Sequence, residues 1–220
     1  MESKPIAIYG AGGLGREIAW MVNDINQHKR QWKLIGFFDD GKKKDSIIDD
    51  LPVLGGLNEL NAVRSPLSLV IAISDPLIKE KLVNDIINTK IKFPVLIHPS
   101  CQPGDIKNNQ FGKGTVLTAG VILTTGIQTG DFVLINLATT VGHDVNIGKF
   151  SSIMPGCSIS GSVSLGDRCL VGTGARILQN LTIGEDSIIG AGAVVTRNFG
   201  AGSILIGVPA VNTTQHVEGV

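Results

Sequence analysis

Residues 141–159 read VGHDVNIGKFSSIMPGCSI, which sets Val141, Ile147, Ile153 and Ile159 six residues apart. The phase runs back through Ile135, Thr129, Leu123, Leu117 and Phe111, and forward through Leu165, Val171, Ile177, Ile183, Ile189 and Val195. Only Thr129 is not apolar. A 3.6-residue stripe would leave this register within two turns, so the period excludes a helix bundle. Four residues after most of these positions stands a small or branched side chain, as in Val121, Val133, Val145, Ser151, Cys157 and Cys169. Three hexads close one triangular coil of 18 residues, and fifteen hexads make five coils. With strands about 4.8 Å apart the prism is roughly 24 Å long. Glycines just after many apolar positions, including Gly142, Gly148, Gly166, Gly172, Gly184 and Gly190, are expected to permit close backbone approach at the corners.

The period stops near His98, Pro99 and Ser100. Before it, residues 4 to about 95 alternate between two patterns. Short apolar runs at Ile6–Tyr9, Lys33–Phe38, Leu69–Ile73 and near Phe93–Ile97 read as strands. Segments Arg16–Asn26 and Leu77 to about Asn88 read as helices. This predicts an α/β Rossmann-like βαβ domain with a parallel sheet over residues 1–98. The repeat array and a C-terminal cap then occupy 99–220, the cap formed by the segment from Gly200 to Val211.

The 220 residues carry a formal net charge of zero, which gives no electrostatic case for nucleic acid. No apolar run approaches the roughly 18 residues of a membrane span. The opening MESKPIAIYGAGG lacks the apolar core of a signal peptide, so a cytoplasmic protein is expected. Cys101, Cys157 and Cys169 are odd in number and lack CxxC spacing, which predicts neither disulfides nor a zinc ribbon. Cys157 and Cys169 fall in inward slots of the repeat and read as buried thiols.

The array resembles the left-handed parallel β-helix of hexapeptide-repeat acyltransferases. The left hand is implied by that resemblance, since parallel crossovers in general favour the right hand. Members of the family are usually homotrimers with active sites between adjacent prisms. Of the four histidines, His28, His98, His143 and His216, only His143 lies within the hexads, two residues past an inward position and hence near an outward corner. Acyl transfer from coenzyme A requires a base for the attacking amine or hydroxyl, and an imidazole titrating near neutrality suits that task. The resemblance implies that Asp144 orients this base and that Asn136 lies near the acceptor. The plain alternative for Asp144 is a solvated corner residue, the lesser reading, and Asn136 reads equally as a turn-former. By the same resemblance Ser152, Gly161, Thr173 and Ala191 would contact acetyl-CoA, although Ser152 stands where the bacillosamine-type enzymes carry a second histidine. The ending IGVPA, Ile206 to Ala210, resembles the family's closing motif but lacks the basic residue that usually follows it. Carbonic anhydrases of the same prism bind zinc through three histidines; one histidine in the array predicts no metal.

Gly10, Gly12 and Gly15 form G-x-G-x-x-G between a strand and a helix, with Asp39 24 residues beyond Gly15. Alone this pattern suggests NAD. A domain of about 95 residues is roughly half a dinucleotide fold, however, and nothing downstream suits hydride transfer. YGAGGLGRE, GFFDD and IAIS ahead of a hexad array resemble the sialic-acid O-acetyltransferase-like group, which includes UDP-4-amino-sugar N-acetyltransferases. That resemblance implies a nucleotide-sugar site in which Gly12, Gly13 and Leu14 line the phosphates, Asp39 and Asp40 hold the base or ribose, and Ser74 closes the pocket. The expected activity is acetyl-CoA-dependent acetylation of an amino group on a nucleotide-linked sugar, with His143 as general base. Acetylation of a sugar hydroxyl, as on sialic acid, and a non-catalytic nucleotide-sugar-binding trimer are the alternatives.

Overall fold

The computed structural model describes residues 3–213. The chain divides between Pro99 and Ser100 into two compact units. Residues 214–220 of the second expected domain, and His216 with them, lie outside the described residues.

The first unit contains β1 (Lys4–Tyr9), α1 (Gly13–His28), β2 (Trp32–Phe38), β3 (Ile47–Ile48), β4 (Leu51–Gly55), α2 (Leu57–Asn61), β5 (Leu67–Ile71), α3 (Pro76–Asp85) and β6 (Ile91–Lys92). Its sheet has the order β3-β4-β2-β1-β5-β6 and is parallel except for the β3–β4 edge. The central strand is buried from Ile6 to Tyr9, as expected for a parallel strand covered on both faces. Helix α1 buries Ile18, Ala19, Met21, Val22 and Ile25 at helical spacing. Each such side chain contributes about 1.5–3 kcal/mol by full burial when it is as large as valine or bigger.

Three departures from the sequence reading have local causes. The β3–β4 hairpin was hidden in a charged loop because its turn uses Asp49 (φ 46°) and Asp50 (φ 62°) where a two-residue turn usually shows Asn-Gly. Helix α3 stops at Asp85 because Asn88 is recruited elsewhere: its Nδ2 donates to the carbonyls of Leu60, Asn61 and Val63, while Ile87 N donates to Asn61 Oδ1. The last strand of the sheet is Ile91–Lys92, and Leu96–Ile97 forms a separate one beyond Pro94, which has no N–H for a ladder.

The second unit is a left-handed β-helix. Among the described residues, fifteen two-residue strands run from Gln110–Phe111 to Val194–Val195. Each pairs in parallel with the strand one coil away, as Val141 with Ile159, Ile147 with Leu165 and Ile153 with Val171. Every inward position from Leu117 to Val195 is buried, and Phe111 at the end is half-buried. The exception in the pattern is satisfied: Thr129 Oγ1 accepts from Gly112 N (3.2 Å) and lies 3.2 Å from Thr115 Oγ1. Cys157 and Cys169 are buried in the interior, as their slots predict.

The third residue after each inward position from Phe111 to Ile189 takes a left-handed conformation. Glycine occupies the slot at Gly114, Gly120 and Gly126, but the slot then passes through Phe132, Ala138, Asp144 and Phe150, with φ between 54° and 61°. The glycines singled out from the sequence do a different job two residues earlier. A Cβ on Gly142 would lie 2.6 Å from Gly161 N and one on Gly172 2.6 Å from Ala191 N, so these positions set the spacing between coils. At the C-terminal end Ile204–Ile206 adds to the ladder beside Ile188–Ile189, and Val211–Asn212 folds back antiparallel as a cap.

Candidate functional site

Two sites are built, one in each unit. In the first, the C-terminal ends of β1, β2 and β5 open onto a cleft of about 460 Å³. β1 is flanked by β2 on one side and β5 on the other, so the cleft lies at a topological switch point, where open α/β sheets bind ligands. Gly12, Gly13, Leu14, Asp39, Asp40 and Ser74 all line it, together with Tyr9, Ala72 and Asp75.

The glycines of the loop divide by cause. A side chain on Gly10 would strike Ala72 O at 2.8 Å, and one on Gly15 would collide with the Gly10 carbonyl, so both are required by packing. Gly12 and Gly13 have open space in the Cβ direction. Gly12 caps α1 without a side-chain hydrogen bond, which leaves the first N–H groups of the helix directed at the cleft. A helix N-terminus of this kind attracts an anion.

The two aspartates are tied into the protein. Asp39 Oδ2 accepts from Ala11 N (2.7 Å) and Oδ1 from Gly41 N (2.8 Å), which braces the glycine loop against the end of β2. Asp40 accepts from the Tyr9 hydroxyl and, through Oδ1, from Leu57 N (2.9 Å) at the start of α2. Burial, then the bond to Asp40, pushes the Tyr9 phenol well above its ordinary range, so it remains a proton donor to that carboxylate. Both carboxylates are thus already oriented by protein donors.

In the second unit, His143 stands at the corner after strand Thr140–Val141. Its Nδ1 lies 2.9 Å from Asp144 Oδ2, and both side chains are about two-thirds exposed. Neighbouring residues in a strand point to opposite faces. Here Asp144 occupies the left-handed slot (φ 58°), and that backbone turns its carboxylate back toward the ring. Glycines one coil away on either side make the room. A Cβ on Gly161 would be 2.5 Å from His143 Nε2, and one on Gly126 would be 2.5 Å from Asp144 Oδ1. Gly126 was missed in the sequence reading, although its offset of 18 residues from Asp144 is one coil.

The remaining residues fall elsewhere on the prism. Asn136 is buried at the corner before strand Thr140–Val141, and its Oδ1 accepts from Leu137 N (2.8 Å) and Thr118 Oγ1 (3.3 Å). Thr173 and Ala191 stack on that same edge, joined through the Thr173 carbonyl and Gly192 N (2.8 Å). Gly161 lies on the His143 edge. Ser152 starts its strand and is fully buried, so the prism presents two edges flanking one face and not a single cluster.

Comparison with known proteins bears on both units. Residues 5–86 match the PglD N-terminal domain, 138–179 the hexapeptide repeat of succinyl-transferase and 162–197 the bacterial transferase hexapeptide model. The acetyltransferase domain of PglB from Neisseria gonorrhoeae, solved with acetyl coenzyme A, is 30% identical with a TM-score of 0.87, covering 96% of this chain and 100% of that one. The chain belongs to the hexapeptide-repeat acyltransferases. Within that family, PerB from Caulobacter crescentus, solved with CoA and GDP-perosamine, is 30% identical with a TM-score of 0.83, over 94% of this chain and 96% of that one. A GDP-perosamine N-acetyltransferase of Escherichia coli O157:H7 is 31% identical over 153 residues, which span 68% of this chain and 66% of that relative. Membership of the family agrees with the fold of both units and with the resemblance seen in the sequence. Among the described residues no helix is long and apolar enough to cross a membrane.

Proposed function

We propose that this acyltransferase moves the acetyl group of acetyl-CoA to the amino group of a nucleotide-linked amino sugar, with His143 as general base. The observation that carries the reading is the His143–Asp144 pair. A carboxylate 2.9 Å from Nδ1 selects the tautomer with the proton on that nitrogen and leaves the Nε2 lone pair for the acceptor. As the amine attacks the thioester carbon, Nε2 takes its proton. The tetrahedral oxyanion then collapses, the C–S bond breaks, and the imidazolium returns the proton to the departing thiolate. The relatives solved with acetyl-CoA, or with CoA and GDP-perosamine, support this substrate pair.

The cleft of the first unit supports a nucleotide as the handle. Packing accounts for Gly10 and Gly15 but leaves Gly12 and Gly13 bare toward open space, as a diphosphate approaching the α1 N-terminus would require. A homotrimer completes the reading. Outward positions of one ladder, Leu170, Ile188 and Ile204, make an apolar stripe, with Ile188 44% exposed, that a neighbouring prism would cover.

Thermal-shift measurements with UDP-, GDP-, CMP- and dTDP-linked amino sugars, with and without acetyl-CoA, test the proposal. One nucleotide series and acetyl-CoA are each expected to raise the melting temperature by mass action. Indifference to every nucleotide sugar and to acetyl-CoA would contradict it.

A further inference from the structure

The cleft of the first unit has two unlike sides. The strand order β2-β1-β5 sets the end of β2, with Asp39 and Asp40, on one side of the loop at Gly12 and Gly13, and the end of β5, with Ser74 and Asp75, on the other. In sheets of this kind the acidic residue at the end of the second strand takes ribose hydroxyls. Asp39 keeps acceptor positions for them, since a carboxylate offers about four and Ala11 N and Gly41 N use two. The nucleoside therefore belongs on the β2 side.

Helices α1 and α3 both start at this cleft, and their starts differ. α1 begins after Gly12 with no side-chain cap. α3 begins after Asp75 with Pro76, which has no N–H, and Asp75 Oδ1 accepts from Ile78 N (2.9 Å). A carboxylate at an N-cap offsets the partial positive charge of the helix end, so an anion is drawn to α1 and not to α3. The diphosphate thus sits between the two sides, and the group it carries beyond its second phosphate reaches β5. Asp75 is exposed there, and among the described residues its Oδ2 accepts no hydrogen bond. Among the described residues no lysine or arginine lines the cleft. Lys79, one turn along α3, is buried, and burial pushes its ammonium down to about 7, so it offsets the carboxylate charge only in part.

Resting on the nucleotide-sugar reading above, we propose that Oδ2 of Asp75 accepts a hydrogen bond from a ring hydroxyl of the sugar and so selects which sugars are acylated. The partner is a hydroxyl and not the amine. An amine held against a carboxylate is favoured in its protonated form, which has no lone pair with which to attack the thioester. A hydroxyl donates its hydrogen bond without that cost. The substrates are therefore amino sugars that keep a free ring hydroxyl beside the reacting amine. A sugar deoxygenated or acylated at that hydroxyl is rejected, because it leaves the carboxylate covered and unpaired.

Isothermal titration of the full chain with UDP, GDP and dTDP, and with UDP-glucose, GDP-mannose and dTDP-glucose, tests the assignment, since these hexoses present hydroxyls without an amine. Asp75→Ser removes the second carboxylate oxygen and keeps the helix cap, serine being as good an N-cap as aspartate. The wild-type chain is expected to bind the hexose form of its nucleotide more tightly than the bare diphosphate. Asp75→Ser should weaken the hexose form by about tenfold or more and leave the bare diphosphate at the wild-type affinity. Asp75→Asn, which also caps the helix, should lose affinity for the hexose form in the same selective way. An equal loss for the bare diphosphate would move Asp75 to the nucleoside or the phosphates, and no loss for the hexose form would remove it from the sugar; either result overturns the assignment. Failure of the wild-type chain to bind any of the six would instead bring down the nucleotide-sugar reading on which the inference rests.

Discussion

The imidazole of His143 rests on Gly161 because that residue has no side chain, and the carboxylate of Asp144 rests on Gly126 for the same reason. A methyl group at 161 would stand 2.5 Å from Nε2, inside any tolerable contact, so the ring must rotate and carry its lone pair away from the acceptor. Misplacement on the order of 1 Å costs about a hundredfold in rate, and Gly161→Ala is expected to lower kcat/KM by about that factor. A double-mutant cycle reads the cause. In a His143→Ala background the methyl should cost nothing further, whereas additive losses would show that it acts elsewhere. The pairing of 143 with 161 is arithmetic on the coil length. The partnership of His143 with Asp144 was less legible, because it depends on the left-handed backbone at Asp144 and not on sequence adjacency.

Elements differ in how much of them could be read from the chain. The β-helix strands were legible because one inward residue in six repeats without interruption, and even Thr129 keeps the register by bonding to Gly112 and Thr115. The β3–β4 hairpin and the end of α3 were not, since the first substitutes two aspartates for the usual turn residues and the second is decided by bonds from Asn61 and Asn88 across the unit. Helix α3 also buries Lys79, which is 2% exposed, and burial pushes its ammonium down to about 7 against the opposing pull of Asp75. An unfolded lysine titrates near 10.4. Between about 7 and that value the unfolded chain holds a proton that the native chain lacks, so stability rises with pH across this window and is flat below it. Both tryptophans, Trp20 and Trp32, lie in this unit, so their fluorescence in urea reports it alone. The wild-type midpoint should climb from about pH 7 to pH 9 relative to that of Lys79→Met. Parallel curves for the two proteins would contradict the assignment.

At the scale of the whole molecule, the chain joins two devices with different periods. An α/β unit offers a cleft whose open glycines and helix N-terminus suit a phosphate, and a prism offers an ordered edge on which one histidine has been given a partner and room. One relative, PerB, was solved with CoA and GDP-perosamine together. The order of the prism made His143 conspicuous in the sequence, while the nucleobase and sugar depend on the detailed walls of the cleft and are not carried by any spacing. The most direct measurement is release of free CoA from acetyl-CoA in the presence of the amino-sugar nucleotide that stabilises the protein. The wild-type chain is expected to release CoA only when that acceptor is present, and His143→Ala to slow the release by about a hundredfold or more. Release at the wild-type rate by His143→Ala would show that His143 is not the base.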